Sequence, residues 1–208
     1  MNGYLTSTFR GVHDLIHFEY NDKEDMFDSH SYNKGGLVLH MLRNYLGDDA
    51  FYASLNNYLT KNAYTAVEAH NLRLAVEEVS GKDWNWFFNQ WYFEAGHPIL
   101  EIKYEHDEFA AKTKVTIEQK QKVERSIPIF QLPMAIDIYQ ENGMPTRHNI
   151  TMTKRIETFT FDTPTKPKLI DVDADRILLA DIKDDHTEEE YIFPVSYTHL
   201  TLPTICSV

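Results

Sequence analysis

At Pro98 the spacing of apolar residues changes from about 3.6 to about 2, and no other feature limits the possible folds of this chain so strongly. Before it, residues 33 to about 95 read as helices. Leu37, Val38, Met41, Leu42, Tyr45 and Leu46 fall on one helical face, and Gly47 supplies a stop. Asp48 or Asp49 is placed to cap a second helix with the face Phe51, Leu55, Tyr58 and Leu59. Thr65, with Glu68 as its capping-box partner, predicts a third helix carrying Val67, Leu72, Leu74, Ala75 and Val79 and ending at Gly81. A fourth is opened by Asp83, carries Trp84, Phe87, Phe88, Trp91 and Tyr92, and closes at Gly96 and Pro98. The short links predict neighbouring, roughly antiparallel helices.

After Pro98, six short runs rich in Val, Ile, Thr, Phe and Tyr read as strands: Ile99–Tyr104, Lys112–Gln119, Met134–Tyr139, His148–Lys154, Glu157–Phe161 and Lys168–Val172. Val115, Ile117 and Gln119 alternate with Thr116 and Glu118, and turns such as Glu141-Asn142-Gly143 and Thr163-Pro164 divide the runs. The expected class is α+β in more than one domain, with helices over 1–97 and an antiparallel β-sandwich over 98–193. The last stretch, 194–208, is Thr-rich and uncharged, fits no strand of that module, and reads as a non-native or disordered tail.

Bulk properties exclude several functions. Apolar residues make up 42% of the 208, enough for a packed core. A formal charge of −12 disfavours nucleic acid as a partner. Cys206 is the only cysteine, so no intramolecular disulfide is possible, which leaves the compartment open. No apolar run approaches the roughly 18 residues of a membrane span, and Met1 to Arg10 does not read as a secretory signal.

The motifs are more specific. Ser31-Tyr32-Asn33-Lys34-Gly35-Gly36 opens the first helix, followed in order by Leu46-Gly47-Asp48-Asp49-Ala50-Phe51, Ser80-Gly81-Lys82-Asp83, Phe87-Phe88-Asn89-Gln90-Trp91 and Gly96-His97-Pro98. Together they resemble the aminopeptidase N-like zinc metallopeptidases (gluzincins), in the half of the catalytic domain that follows the zinc ligands and in the β-sandwich after it. The resemblance runs from about Asp22 to Phe193. It implies a thermolysin-like catalytic domain that hydrolyses the N-terminal peptide bond of peptides. It also implies that zinc, its His-Glu-x-x-His ligands and distal Glu, the Gly-x-Met-Glu-Asn amine-binding motif and the N-terminal domains lie outside this chain.

By that resemblance Tyr32 is the catalytic residue present, donating a hydrogen bond to the oxyanion of the tetrahedral intermediate. A phenol stays protonated at neutral pH and suits that role. Gly35 and Gly36 are expected to let the first helical turn approach other backbone closely. The chain alone is then expected to be inactive. The alternative is a non-catalytic scaffold or protein-interaction relative of the same architecture.

Four other groups invite a function. His13-Asp14-Leu15-Ile16-His17 has the spacing of two zinc ligands on a helix and leaves open a minimal metallohydrolase. Its acid is the shorter Asp, its backbone reads as loop, and the family's third ligand position, about nineteen residues on, is Gly36, so a chance pair is the preferred reading. Asn21-Asp22-Lys23-Glu24-Asp25 reads as a solvated loop rather than a site for a peptide's amino group, and His97 as a surface histidine. Asp171, Asp173 and Asp175 lack the Gly and Glu of a calcium loop and read as edge-strand charges.

Overall fold

The structure is a computed structural model that describes residues 13–18, 20–123, 127–141, 143–184, 186 and 190. The readings of Met1 to Arg10, Asn142, the 194–208 tail and Cys206 lie outside those residues. Four helices are formed: α1 (Gly35–Leu46), α2 (Asp48–Lys61), α3 (Ala69–Ser80) and α4 (Asn85–Tyr92). Seven strands follow: β1 (Ile99–Asp107), β2 (Lys112–Gln119), β3 (Leu132–Tyr139), β4 (Pro145–Met152), β5 (Ile156–Asp162), β6 (Leu169–Val172) and β7 (Asp181–Lys183). The α+β class read from periodicity is the class observed. No helix among the described residues is long and apolar enough to cross a membrane.

The chain divides into two units. The first comprises residues 1–99 with 120–131 and 177–181; the second comprises 100–119, 132–176 and 182–208. In the first, α1 buries Val38, Met41 and Leu42, and α4 buries Phe87, Phe88, Trp91 and Tyr92. Trp91 has no exposed surface and meets the Phe130 ring at 4.8 Å. Gln131 is held by a side chain that imitates a strand. Gln90 Nε2 donates to the Gln131 carbonyl at 2.9 Å, and its Oε1 accepts from the Gln131 amide at 2.8 Å. Leu178 and Leu179 join the same core.

Helix ends follow local chemistry with two corrections. Gly47 (φ +78°) both ends α1 and precedes α2, so Asp48 and Asp49 sit in the first turn of α2 rather than capping it. There they face the positive end of the helix dipole, and Asp48 accepts two 2.8 Å bonds from Arg43. Thr65 does not cap α3. Its hydroxyl donates to the Asn62 carbonyl, and the cap is Glu68, whose amide donates to Asn71 Oδ1 at 2.8 Å. The predicted faces are also narrower than expected. α3 buries Ala75 and Val76 while Leu74 stays 54% exposed, and Leu59 on α2 is 66% exposed. Asp83 does accept the Asn85 amide at the start of α4.

The second unit holds two sheets, ordered β5-β2-β1-β7 and β4-β3-β6. The β1–β2, β2–β5, β3–β4 and β3–β6 pairs are antiparallel. Thr113, Val115, Ile117 and Gln119 of β2 are buried in strict alternation. The central strand β3 instead buries Met134 through Ile138 without a break, as a strand covered on both faces does. Asp171 lies on the edge strand β6 and pairs with Arg176, and Asp175 pairs with Arg147, which also forks onto Asp137 at 2.8 Å. Asp171 and Asp175 are thus held in ion pairs at the sheet edge and its turn.

Truncating Trp91 to alanine is expected to cost about 3–5 kcal/mol, read as a lowered midpoint of chemical denaturation. Leu74→Ala is expected to cost a small fraction of that, since its side chain is half in water.

Candidate functional site

Tyr32 stands on a single π-helical turn, His30–Lys34, that runs straight into α1. The turn is shaped by Asp28. Its Oδ1 accepts the amides of His30 (3.0 Å) and Ser31 (2.9 Å), and its carbonyl accepts that of Tyr32 (3.2 Å). The Lys34 amide reaches back to the Ser29 carbonyl at 2.9 Å, the long i→i+5 step that makes the turn a π-turn. Such turns turn a side chain outward from a helix's regular path. Tyr32 is accordingly 64% exposed, its ring 6.2 Å from Phe27, and its hydroxyl has no hydrogen-bond partner among the described residues.

Two residues on, the chain does the opposite. Lys34 has no exposed surface, and its Nζ donates to the Glu94 carbonyl at 3.2 Å. Burial pushes this ammonium down to about 8, with partial compensation from the charge of Asp14. The lysine of the Tyr-x-Lys-Gly motif is therefore an anchor beneath the tyrosine rather than a group offered to solvent. The two glycines that follow do not act as expected. A Cβ on Gly36 would meet nothing within 4 Å among the described residues, and one on Gly35 would make ordinary contact with Leu15 at 3.6 Å. Neither serves a close backbone approach. Gly96 is instead required by its backbone: its φ is +78°, and a Cβ there would also touch Ile127 at 3.4 Å.

His13 and His17 are not on a helix. Their segment is tied down by the Ile16 amide, which donates to the Tyr92 carbonyl at 2.9 Å. His13 Nε2 lies 2.9 Å from Asp28 Oδ2, and its ring stacks on His30 at a centroid distance of 3.6 Å. His30 Nδ1 lies 3.1 Å from that same Asp28 oxygen. His17 faces Asp14 Oδ1 at 3.4 Å. Burial, and then the neighbouring His13, lower the pKa of His30; for Asp28 burial pulls upward, but the Ser31 amide and the two imidazoles beside it together hold the carboxyl below its ordinary value. The sequence singled out His13 and His17 but missed Asp28 and His30. The available signal was the Asp28-Ser29-His30-Ser31 run, an aspartate placed to accept amides two and three residues on.

These groups do not reproduce the zinc centre of a gluzincin. The histidine pair lacks the helix that would aim both rings at one ion, and Asp14, the residue in the base position, is turned onto His17. Of the remaining candidates, Asp22 and Glu24 are exposed and frame a short 3₁₀ turn, Lys23–Met26, capped by Asp22. His97 is half-buried rather than superficial, and burial lowers its pKa.

The buried Lys34 makes stability depend on pH with a definite sign. Its folded pKa lies below the ordinary lysine value, so the unfolded chain binds more protons between about pH 8 and 10.5 and stability rises through that window. Tyr92, whose phenol burial pushes well up, opposes this only above about pH 10. Between pH 7.5 and 9.5 the denaturation free energy is expected to rise by about 1–2 kcal/mol, and Lys34→Met to flatten the slope. A flat profile in the parent chain would contradict the burial of a charged lysine.

Comparison with known proteins gives this geometry a family context. The family model described as Peptidase family M1 domain matches residues 8–91. Aminopeptidase M1-C of Oryza sativa is 34% identical over 83 residues, covering 40% of this chain and 10% of the relative. Leucyl aminopeptidase of Saccharolobus solfataricus is 26% identical over 157 residues, covering 73% of this chain and 18% of the relative. The fold matches a crystal structure of Legionella pneumophila aminopeptidase A in complex with aspartic acid at TM-score 0.70 and 16% identity, over 84% of this chain and 20% of that one. The chain thus spans a fifth or less of the length of each of these proteins, and its residues 8–91 match part of a family M1 peptidase domain.

Proposed function

We propose that this chain contributes the oxyanion-binding tyrosine and the helical floor of a zinc-dependent aminopeptidase that cleaves the N-terminal residue from peptides. The observation that carries the reading is the contrast within one motif: Tyr32 is exposed with an uncommitted hydroxyl, while Lys34, two residues on, is wholly buried. A side chain meant for packing would be turned the other way. The described residues do not assemble the family's catalytic zinc centre, so the metal and the general base of such an enzyme would come from elsewhere.

The role of Tyr32 follows from elementary chemistry. When water adds to a peptide carbonyl, the oxygen gains negative charge, and a neutral phenol already fixed in place can donate to it without reorganising. The π-turn supplies the fixing, because three hydrogen bonds to Asp28 and the anchor at Lys34 hold the backbone on both sides of Tyr32. One such donor is typically worth about 10²–10³ in rate.

The test is a chimaera in which residues 22–97 replace the matching segment of the Saccharolobus leucyl aminopeptidase. With Tyr32 the chimaera is expected to hydrolyse aminoacyl amides. Tyr32→Phe is expected to lower kcat by about 10²–10³ with KM little changed. Full activity of the phenylalanine variant would sink the assignment. The 208-residue chain alone, supplied with zinc and a fluorogenic amino-acid amide, is expected to show no turnover. Hydrolysis that disappears in His13→Gln would instead favour a small metallohydrolase built on that histidine.

A further inference from the structure

The cluster beneath Tyr32 has a feature that packing does not require. His13 Nδ1 lies 2.6 Å from the Asp14 carbonyl oxygen, which can only accept, so that nitrogen carries a proton. In the neutral imidazole the other nitrogen, Nε2, is then a bare lone pair. It points at Asp28 Oδ2, a second lone-pair donor, 2.9 Å away. His30 Nδ1 converges on the same oxygen at 3.1 Å. Two electron-rich atoms held this close need a cation between them. The Asp28 carboxylate is only 5% exposed and the His30 side chain 3%, so bulk water screens that demand poorly.

We infer that His13 Nε2, Asp28 Oδ2 and His30 Nδ1 form a binding site for a divalent first-row transition ion, of which Zn²⁺ is the best fit. Two imidazole nitrogens and one carboxylate oxygen are a donor set for zinc, cobalt, nickel or copper and a poor one for magnesium or calcium. One donor atom from each of the three residues lies within 4.8 Å of the others. Bonds of about 2.0–2.2 Å set tetrahedral donors about 3.3 Å apart. Both pairs involving Asp28 are already near that spacing, and the two nitrogens need to draw together by no more than about 1.5 Å.

The surroundings also match. A ligating histidine usually donates its other ring N–H to a carbonyl or carboxylate, as His13 does to Asp14. Asp28 is oriented through its second oxygen by the amides of His30 and Ser31. His17 faces Asp14 instead, so water would supply the fourth position of a tetrahedral ion. The spacing of these ligands, with His13 and Asp28 on separate segments, differs from any His-x-x-x-His helical pair.

The site is a clamp rather than a hydrolytic centre. Its ligands come from the 13–17 segment and from the turn that bears Tyr32, so an ion would lock those two stretches together. Asp28 and Asp14 are both committed to other groups and leave no free base. Binding does not depend on the role assigned to Tyr32, and it can be measured without catalysis.

The experiment is a Co²⁺ titration of the untagged, metal-free 208-residue chain, followed by visible absorption and then by displacement with Zn²⁺. One Co²⁺ per chain is expected, giving the intense d–d bands of a low-coordinate ion that zinc abolishes. The affinity is expected to fall by at least about tenfold in His13→Gln and in His30→Gln. It is expected to be unchanged in His148→Gln, a half-buried histidine of β4 in the other unit. If His30→Gln lowers the folded fraction, the partly exposed His13 decides the matter alone. No binding, or binding undiminished in His13→Gln, would overturn the proposal and leave a proton as the cation between His13 and Asp28.

Discussion

A lysine ammonium removed from water, with one carbonyl to receive it, is the constraint on which the helical unit turns. Lys34 donates to Glu94, sixty residues on, and so joins the turn before α1 to the segment just after α4. Burying that charge is unfavourable, as its depressed pKa records, and the surrounding apolar core must offset it. The core does so with large rings. Phe87, Phe88 and Trp91 have no exposed surface, and each contributes on the order of 2–3 kcal/mol of burial. The costly lysine is retained where it fixes position rather than where it adds stability.

Position matters because of what sits on the turn. Asp28 below and Lys34 behind leave the backbone at Tyr32 little freedom, and the side chain between them is directed outward. The oxyanion donor proposed for Tyr32 would work by being fixed before the charge appears. Asp28 serves that geometry with one oxygen and gathers two imidazoles with the other. A single buried carboxylate therefore couples the shape of the turn to whatever cation, proton or metal, occupies the space beside His13.

How much of this was legible depends on whether the signal was local. The period change at Pro98, the stop at Gly47 and the alternation in β2 are written in adjacent residues, and they appear in the structure. Thr65 looked like a helix cap because it precedes an apolar run, yet Asn71 offered the Glu68 amide a better acceptor inside the helix. Leu74 and Leu59 fit a helical face by spacing but lie in water, since spacing does not say how wide a face the neighbours cover. Gln131 is tied to the helical unit by its paired bonds with Gln90, and a glutamine's long-range partner leaves no trace in its own sequence neighbourhood. The convergence of His13, Asp28 and His30 was hidden in the same way. The i, i+4 histidine pair drew attention to His17, while the true partners of His13 lay fifteen and seventeen positions on.

Backbone amide hydrogen exchange across Ser31 to Lys34 tests the central claim, that this turn is a rigid mount for Tyr32. The account predicts slow exchange at Ser31, Asn33 and Lys34, approaching that of Met41 in the core of α1, and its collapse in Asp28→Ala. Exchange at the rate of an unstructured chain in the parent protein would contradict it, because a turn that opens freely cannot hold a phenol ready for an oxyanion.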